Sequence, residues 1–225
     1  MPSLDHIKRV VERIASVDEI REHIYFFGGA IPYIYYGEES GRDHTDIDIL
    51  VDESHIDIIR DILKDHNKYQ EEYDSLKLGL DEDYGVKAWI DGIYVEFEPV
   101  SIENGTLKRY TFSPEKELVG IEEIPYEKEG DLIVPMEING KTTYCQSNEL
   151  NKAAKEKYGR EKDLKDAEFI GNHDIDVDKY ERVKKSIGEA KTTIISYEES
   201  KKKKELNSMF NSSVEHNEYS NLKMK

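Results

Sequence analysis

Ile24-Tyr25-Phe26-Phe27-Gly28-Gly29-Ala30, followed after a short spacer by Arg42-Asp43-His44-Thr45-Asp46-Ile47-Asp48-Ile49-Leu50-Val51, is the stretch whose reading decides the fold. Ile24 to Phe27 is a compact apolar run that stops at a Gly-Gly pair, the pattern of a buried strand entering a tight turn. Residues 30–36 then supply a helix. Pro32 is tolerated in its first turn, where the missing N–H is not needed. Gly37-Glu38-Glu39-Ser40-Gly41 makes a loop. Beyond it, Ile47, Ile49 and Val51 share one face of a second core strand while Asp46 and Asp48 occupy the other.

Working outward, Ile7, Val10, Val11 and Ile14 recur at spacings of three and four and predict an amphipathic helix. Ser54 can cap a further helix carrying Ile56, Ile59, Ile62 and Leu63, which ends near His66-Asn67. Strand, helix, strand, helix favours an α/β layer fold. Val86–Ile90 and Ile93–Phe97 flank Asp91-Gly92, a strong hairpin signal. Scattered β-type runs such as Leu132-Ile133-Val134, with a turn at Asn139-Gly140, make residues 109–147 a strand-rich connector. Glu149–Tyr158, Glu161–Ile170 and Val177–Ile187 read as three helices, a helical annex over 148–190. Past about residue 190 the apolar period fades into Lys201–Lys204 and an Asn/Ser-rich end, so 191–225 is expected to be a frayed helix and mobile tail. There is no long internal repeat.

Composition narrows the function. In 225 residues, 49 acidic side chains against 32 basic ones give a formal charge of -17. That excess repels nucleic-acid phosphates, which disfavours duplex binding. Cys145 is the only cysteine, so no internal disulfide exists. The opening MPSLDHIKRVVERI has no apolar signal core, and no stretch approaches the roughly 20 apolar residues of a membrane-spanning helix. A cytoplasmic protein with no membrane partner is expected.

Each part of the decisive stretch has a physical task. Two glycines at a strand-to-helix turn let a polyanion approach bare backbone, next to a helix N-terminus that offers N–H groups to phosphate. Aspartates at i and i+2 of one strand project the same way, with α-carbons about 6.6 Å apart, and hard oxygen ligands suit magnesium. A third carboxylate from an adjacent strand would complete a two-metal site. Glu96 is the candidate, sharing a strand face with Tyr94 and Glu98.

Asp-x-Asp occurs four times in this aspartate-rich chain, and only Asp46/Asp48 sits on an apolar strand after a Gly-Gly turn. Asp174/Asp176/Asp178 imitates a calcium loop but has Lys179 and Lys185 where glycine and glutamate belong, so these residues cap the following helix instead. Bland readings stand beside the sharp ones. Arg42 and His44 could simply neutralise the neighbouring aspartates, and Lys155, Arg160 and Lys162 could be helix-surface charges. Trp89 reads as packing, Lys201–Lys204 as a solvated run, and the histidines lack zinc spacing.

The order Gly28-Gly29, spacer, Arg42-x-His44-x-Asp46-Ile47-Asp48 and Val95-Glu96-Phe97-Glu98-Pro99 resembles the nucleotidyltransferase superfamily with the DNA polymerase β-like core. Within it, the chain is most similar to the lincosamide and aminoglycoside nucleotidyltransferases. The likeness covers roughly residues 24–100. A weaker one lies in Lys155–Asp166, which is similar to a helical segment that brings basic groups to the nucleotide. The resemblance implies an α/β (α+β) fold, with a small mixed nucleotidyltransferase sheet flanked by helices over 1–108 and a C-terminal helical annex. It also implies magnesium-dependent transfer of a nucleoside monophosphate from a nucleoside triphosphate, ATP first, to a hydroxyl of a small molecule, releasing pyrophosphate. Asp46, Asp48 and Glu96 would then be the catalytic and metal-binding residues, holding two ions, with Glu96 able to accept the hydroxyl proton. Gly28, Gly29, Arg42, His44, Lys155, Arg160 and Lys162 would bind the nucleotide. The relatives commonly carry aspartate where this chain has Glu96. The alternatives are a toxin-like RNA nucleotidyltransferase and a non-catalytic, antitoxin-like partner that kept the fold.

Overall fold

The computed structural model describes residues 3–68, 85–112, 118–196, 199 and 202. The apolar run Ile24–Phe27 forms β1, and Asp46–Asp52 forms β2 antiparallel to it, with Phe27 opposite Asp48. Between them stands α3, Ile31–Tyr36, closed by Gly37 in the left-handed conformation. β4, Ile93–Glu103, runs parallel to β2 along one edge. Its other edge is shared: β3, Val86–Ile90, holds the first half and β5, Thr106–Phe112, the last residues, both antiparallel. Asp91-Gly92, Asn104-Gly105 and Asn139-Gly140 all have both residues at positive φ, the backbone twist that joins tight hairpins.

Two units make up the chain, residues 1–110 with 122–191 and residues 111–121 with 192–225. In the first, the hairpin of β7, Ile133–Ile138, and β8, Lys141–Gln146, lies beyond β1, with Phe26 opposite Cys145 in parallel pairing. β6, Leu118–Pro125, follows β5, so the strand order is β7-β8-β1-β2-β4-β5-β6 with β3 on β4. Strands from the 109–147 stretch thus extend the mixed sheet on both sides. β9 is Lys191–Ser196, of which residues 192–196 belong to the second unit. Those six residues were expected to be fraying helix; Thr192-Thr193-Ile194-Ile195 is a β-branched run, which strands favour. Apart from positions 199 and 202, the rest of the tail lies outside the described residues, as does Asp81/Asp83.

The sheet of the first unit separates two apolar clusters. On one face Ile47, Ile49, Val95 and Phe97 meet α1, Leu4–Ala15, and α4, Ile56–Asp65. The periodicity of both helices is thereby satisfied. Ser54 is not the cap of α4: it donates to Asp52, which caps a single 3-10 turn, Glu53–His55, before the helix. On the opposite face Leu50, Leu107 and Ile124 meet α6, Asn148–Tyr158, and α8, Val177–Glu189, while α7, Glu161–Gly171, packs on α6. Ser147 caps α6 through Leu150 N, and Asp176 caps α8 through Lys179 N, as its position predicts. No helix among the described residues is long and apolar enough to cross a membrane.

Candidate active site

Parallel pairing of β2 with β4 sets Asp46 opposite Tyr94, Asp48 opposite Glu96 and Leu50 opposite Glu98, so their side chains leave the sheet on the face toward α6. Carboxylate oxygens of Asp48, Glu96 and Glu98 all lie within 4.8 Å of one another. Asp46 stands outside that group, exposed at the start of β2, but its charge reaches Asp48. Burial, and then the carboxylates of Asp46, Glu98 and Glu96, push the Asp48 carboxyl up to about 7. Such crowding disfavours the charged form unless a cation shares the oxygens. The donor set therefore fits a divalent, oxygen-preferring ion.

Glu96 has a fixed partner. Lys87 lies directly across the β3–β4 hairpin, with Nζ 2.9 Å from Oε1. Burial opposes the Lys87 charge, and Glu96 outweighs it, raising the ammonium pKa. Glu98, which the alternation placed on this face without a role, lines the cleft beside Asp46 and Asp48. Burial raises its carboxyl, and the nearby Arg109 guanidinium opposes the rise. Arg109 escaped the sequence reading because it reaches the site only through the Asn104-Gly105 hairpin, which pairs it with Val100 next to Glu98.

The glycine corner closes the other side of this cleft of about 460 Å³. Gly28 has φ 91°, and a Cβ there would sit 2.6 Å from Asp48 Oδ2. A Cβ on Gly29 would run into the Arg42 guanidinium. Asn151 of α6 donates to the Gly28 carbonyl at 3.3 Å.

The structure gathers the expected nucleotide-binding cations, but on acidic partners. Arg42 donates twice to Asp166, Lys155 donates to the same carboxylate at 2.7 Å, and Arg160 pairs with Asp163. Lys162 of α7 lines the same cleft. His44 is buried beside Ser40, with Nε2 2.6 Å from the Ser40 hydroxyl. Burial, and then the Arg42 charge, hold its imidazole down at about 4, so it is neutral at pH 7 and brings hydrogen bonding rather than charge. Neither Asp166 nor Asp163 was singled out in the sequence. The Lys-x4-Arg-Glu-Lys-Asp-Leu-Lys-Asp run carries both, and only the fold discloses that they are enclosed.

Mixed sheet, flanking helices and an acid-lined cleft at a glycine corner define a nucleotidyltransferase. The chain belongs to the aminoglycoside-2''-adenylyltransferase family, whose profile matches residues 10–171. The solution structure of the antibiotic-resistance factor ANT(2'')-Ia shares the fold, with a TM-score of 0.50 and 15% identity over 83% of this chain and 92% of that one. The crystal structure of the lincosamide antibiotic adenylyltransferase LnuA with lincomycin bound has a TM-score of 0.49 and 15% identity, over 76% of this chain and 98% of that one. An antigenic nucleotidyltransferase-like protein from Paracoccidioides brasiliensis gives 0.40 and 16%, over 75% and 76%. No curated protein matches the chain.

Proposed function

We propose that the protein is a magnesium-dependent, cytoplasmic adenylyltransferase that moves the nucleoside monophosphate of ATP to a hydroxyl of a small antibiotic-like acceptor and releases pyrophosphate. The observation that carries this reading is the meeting, in one cleft, of carboxylates from two parallel strands with the Gly28-Gly29 corner and the cations of α6 and α7. The core over 1–108 supplies the acids and the annex over 148–190 supplies most of the bases.

Asp46, Asp48 and Glu96 would hold two magnesium ions. Bound there, the ions supply positive charge to the oxygens of the transferred phosphoryl group. The chain's own residues do the rest. Gly28 and Gly29 let phosphates approach bare backbone, and Arg42, Lys155, Arg160 and Lys162 balance their charge. His44 donates or accepts a hydrogen bond as a neutral ring. Glu96, oriented by Lys87, takes the acceptor's hydroxyl proton at a carboxylate oxygen. The family membership supports an antibiotic-like acceptor.

The test is incubation with labelled nucleoside triphosphates, magnesium and a panel of hydroxylated metabolites, antibiotics and RNAs. Wild type releases pyrophosphate and labels a small acceptor. Asp48→Asn loses about 10²–10³-fold or more, the scale of a removed electrostatic contact at a developing charge. Equal release by the two proteins overturns the reading.

A further inference from the structure

Asp166 of α7 is wholly enclosed, its side chain 0% exposed, yet it does not itself line the cleft. Four hydrogen bonds reach it from three other parts of the chain. Tyr33 of α3 donates its hydroxyl at 3.0 Å, Arg42 donates through Nε at 3.0 Å and Nη2 at 2.6 Å, and Lys155 of α6 donates at 2.7 Å. Asp163, one turn earlier, holds Arg160 and stands 3.8 Å from Lys155 Nζ. Within this set three cations thus share two carboxylates.

Burial opposes ionisation of Asp166, and the bonds from Arg42 and Lys155 outweigh it, holding the carboxyl below its ordinary value. An ionised group kept from water needs a return elsewhere in the structure. The return here is geometric. Arg42 and Lys155 would repel each other and sample many rotamers if left alone; a shared carboxylate cancels the repulsion, and its two-point contact fixes the plane of the guanidinium. That plane lies against Gly29, where an added Cβ would meet Arg42 Nη2 and stand 3.3 Å from Asp166 Oδ2. The third nitrogen, Nη1, is turned to the Asp43 carbonyl at 3.2 Å.

Resting on the function proposed above, we propose that Asp166 is a positioning residue that fixes Arg42 and Lys155 at the Gly28-Gly29 corner as the cradle for a nucleoside triphosphate's phosphates. It touches no substrate. Its effect is carried by the two cations, so it should scale with the number of phosphates they meet.

Calorimetric titration of the full chain with MgATP and with AMP tests this, using wild type, Asp166→Asn, Tyr33→Phe and the packing control Ile170→Val. Asp166→Asn weakens MgATP binding about tenfold or more, the order for losing charge-assisted bonds, and AMP less than about threefold. Tyr33→Phe, which keeps the charge and removes one bond, weakens MgATP about threefold. Ile170→Val lowers the melting temperature and leaves both affinities unchanged. If Asp166→Asn does not fold, Tyr33→Phe decides. A folded Asp166→Asn or Tyr33→Phe that binds MgATP like wild type, or an equal loss for ATP and AMP, overturns the proposal. A wild type that binds no triphosphate overturns the function itself, and that result is seen before any variant is compared.

Discussion

Gly28 has two reasons to be glycine, and they act at different levels. Its φ of 91° lies in the left-handed half of backbone space, and the space a Cβ would need is taken by Asp48 Oδ2 at 2.6 Å. The first reason costs stability, of order 1–3 kcal/mol for a non-glycine residue held there. The second displaces a carboxylate at the centre of the acidic group. A shift of about 1 Å at reacting atoms costs on the order of 10²-fold in rate. Gly28→Ala is therefore expected to lower the melting temperature moderately and kcat by about 10²-fold, because it moves the Asp48 carboxylate as well as straining a turn. A thermal melt beside steady-state kinetics separates the two; a stability loss with kcat intact would mean that Asp48 has room to yield.

Between elements, α3 and the loop after it are tied to the turn that follows α7 by a small aromatic and ionic contact. His173 Nε2 lies 2.9 Å from Glu38 Oε1, and its ring stacks on Tyr36 with centroids 3.7 Å apart. The Glu38 carboxylate raises the His173 pKa in the folded protein. A histidine whose folded pKa exceeds its unfolded one binds more protons when folded, so its contribution is fully present below the unfolded value and is lost as pH rises through the folded one. His173→Gln should lower stability by no more than about 0.2–1 kcal/mol at pH 6 and by less at pH 9, the scale of an exposed pair. Chemical denaturation at the two pH values checks this, and an equal loss at both would assign the contact to stacking alone. Features of this local kind were the legible ones. Asp91-Gly92 and Asn139-Gly140 announce their turns, Asp176 its helix, and the 46/48 alternation its acidic face. Choices of distant partner were not. Nothing in β4 tells that β3 and β5 divide one edge between them, or that β8 will lie parallel beside β1, since pairing across a sheet is settled by what else needs covering. Asp166 reads in sequence as one more acid on a charged helix, and only donors brought from residues 33, 42 and 155 make it a buried hub.

At the scale of the whole molecule, a formal charge of -17 makes self-repulsion part of the stability balance, and the cleft concentrates it at Asp48. A carboxyl pushed up to about 7 from 3.8 binds more protons folded than unfolded throughout that interval, so ionising it weakens the fold as pH rises toward 7. Without divalent cation, Asp48→Asn should accordingly match or exceed wild type in melting temperature at pH 7.5, although it removes a carboxylate proposed to hold the metal. Magnesium should reverse the order. A ligand at about 100 times its Kd stabilises the native state by about 2.7 kcal/mol. For a chain of this size each kcal/mol moves the melting temperature by about 2–4 °C. Sodium chloride at matched ionic strength is the needed control, since general screening raises both proteins alike whereas occupancy of the carboxylates raises wild type only. A magnesium shift in wild type no larger than the salt shift, or the same shift in Asp48→Asn, would mean that the acidic face relieves its crowding by protonation and holds no ion.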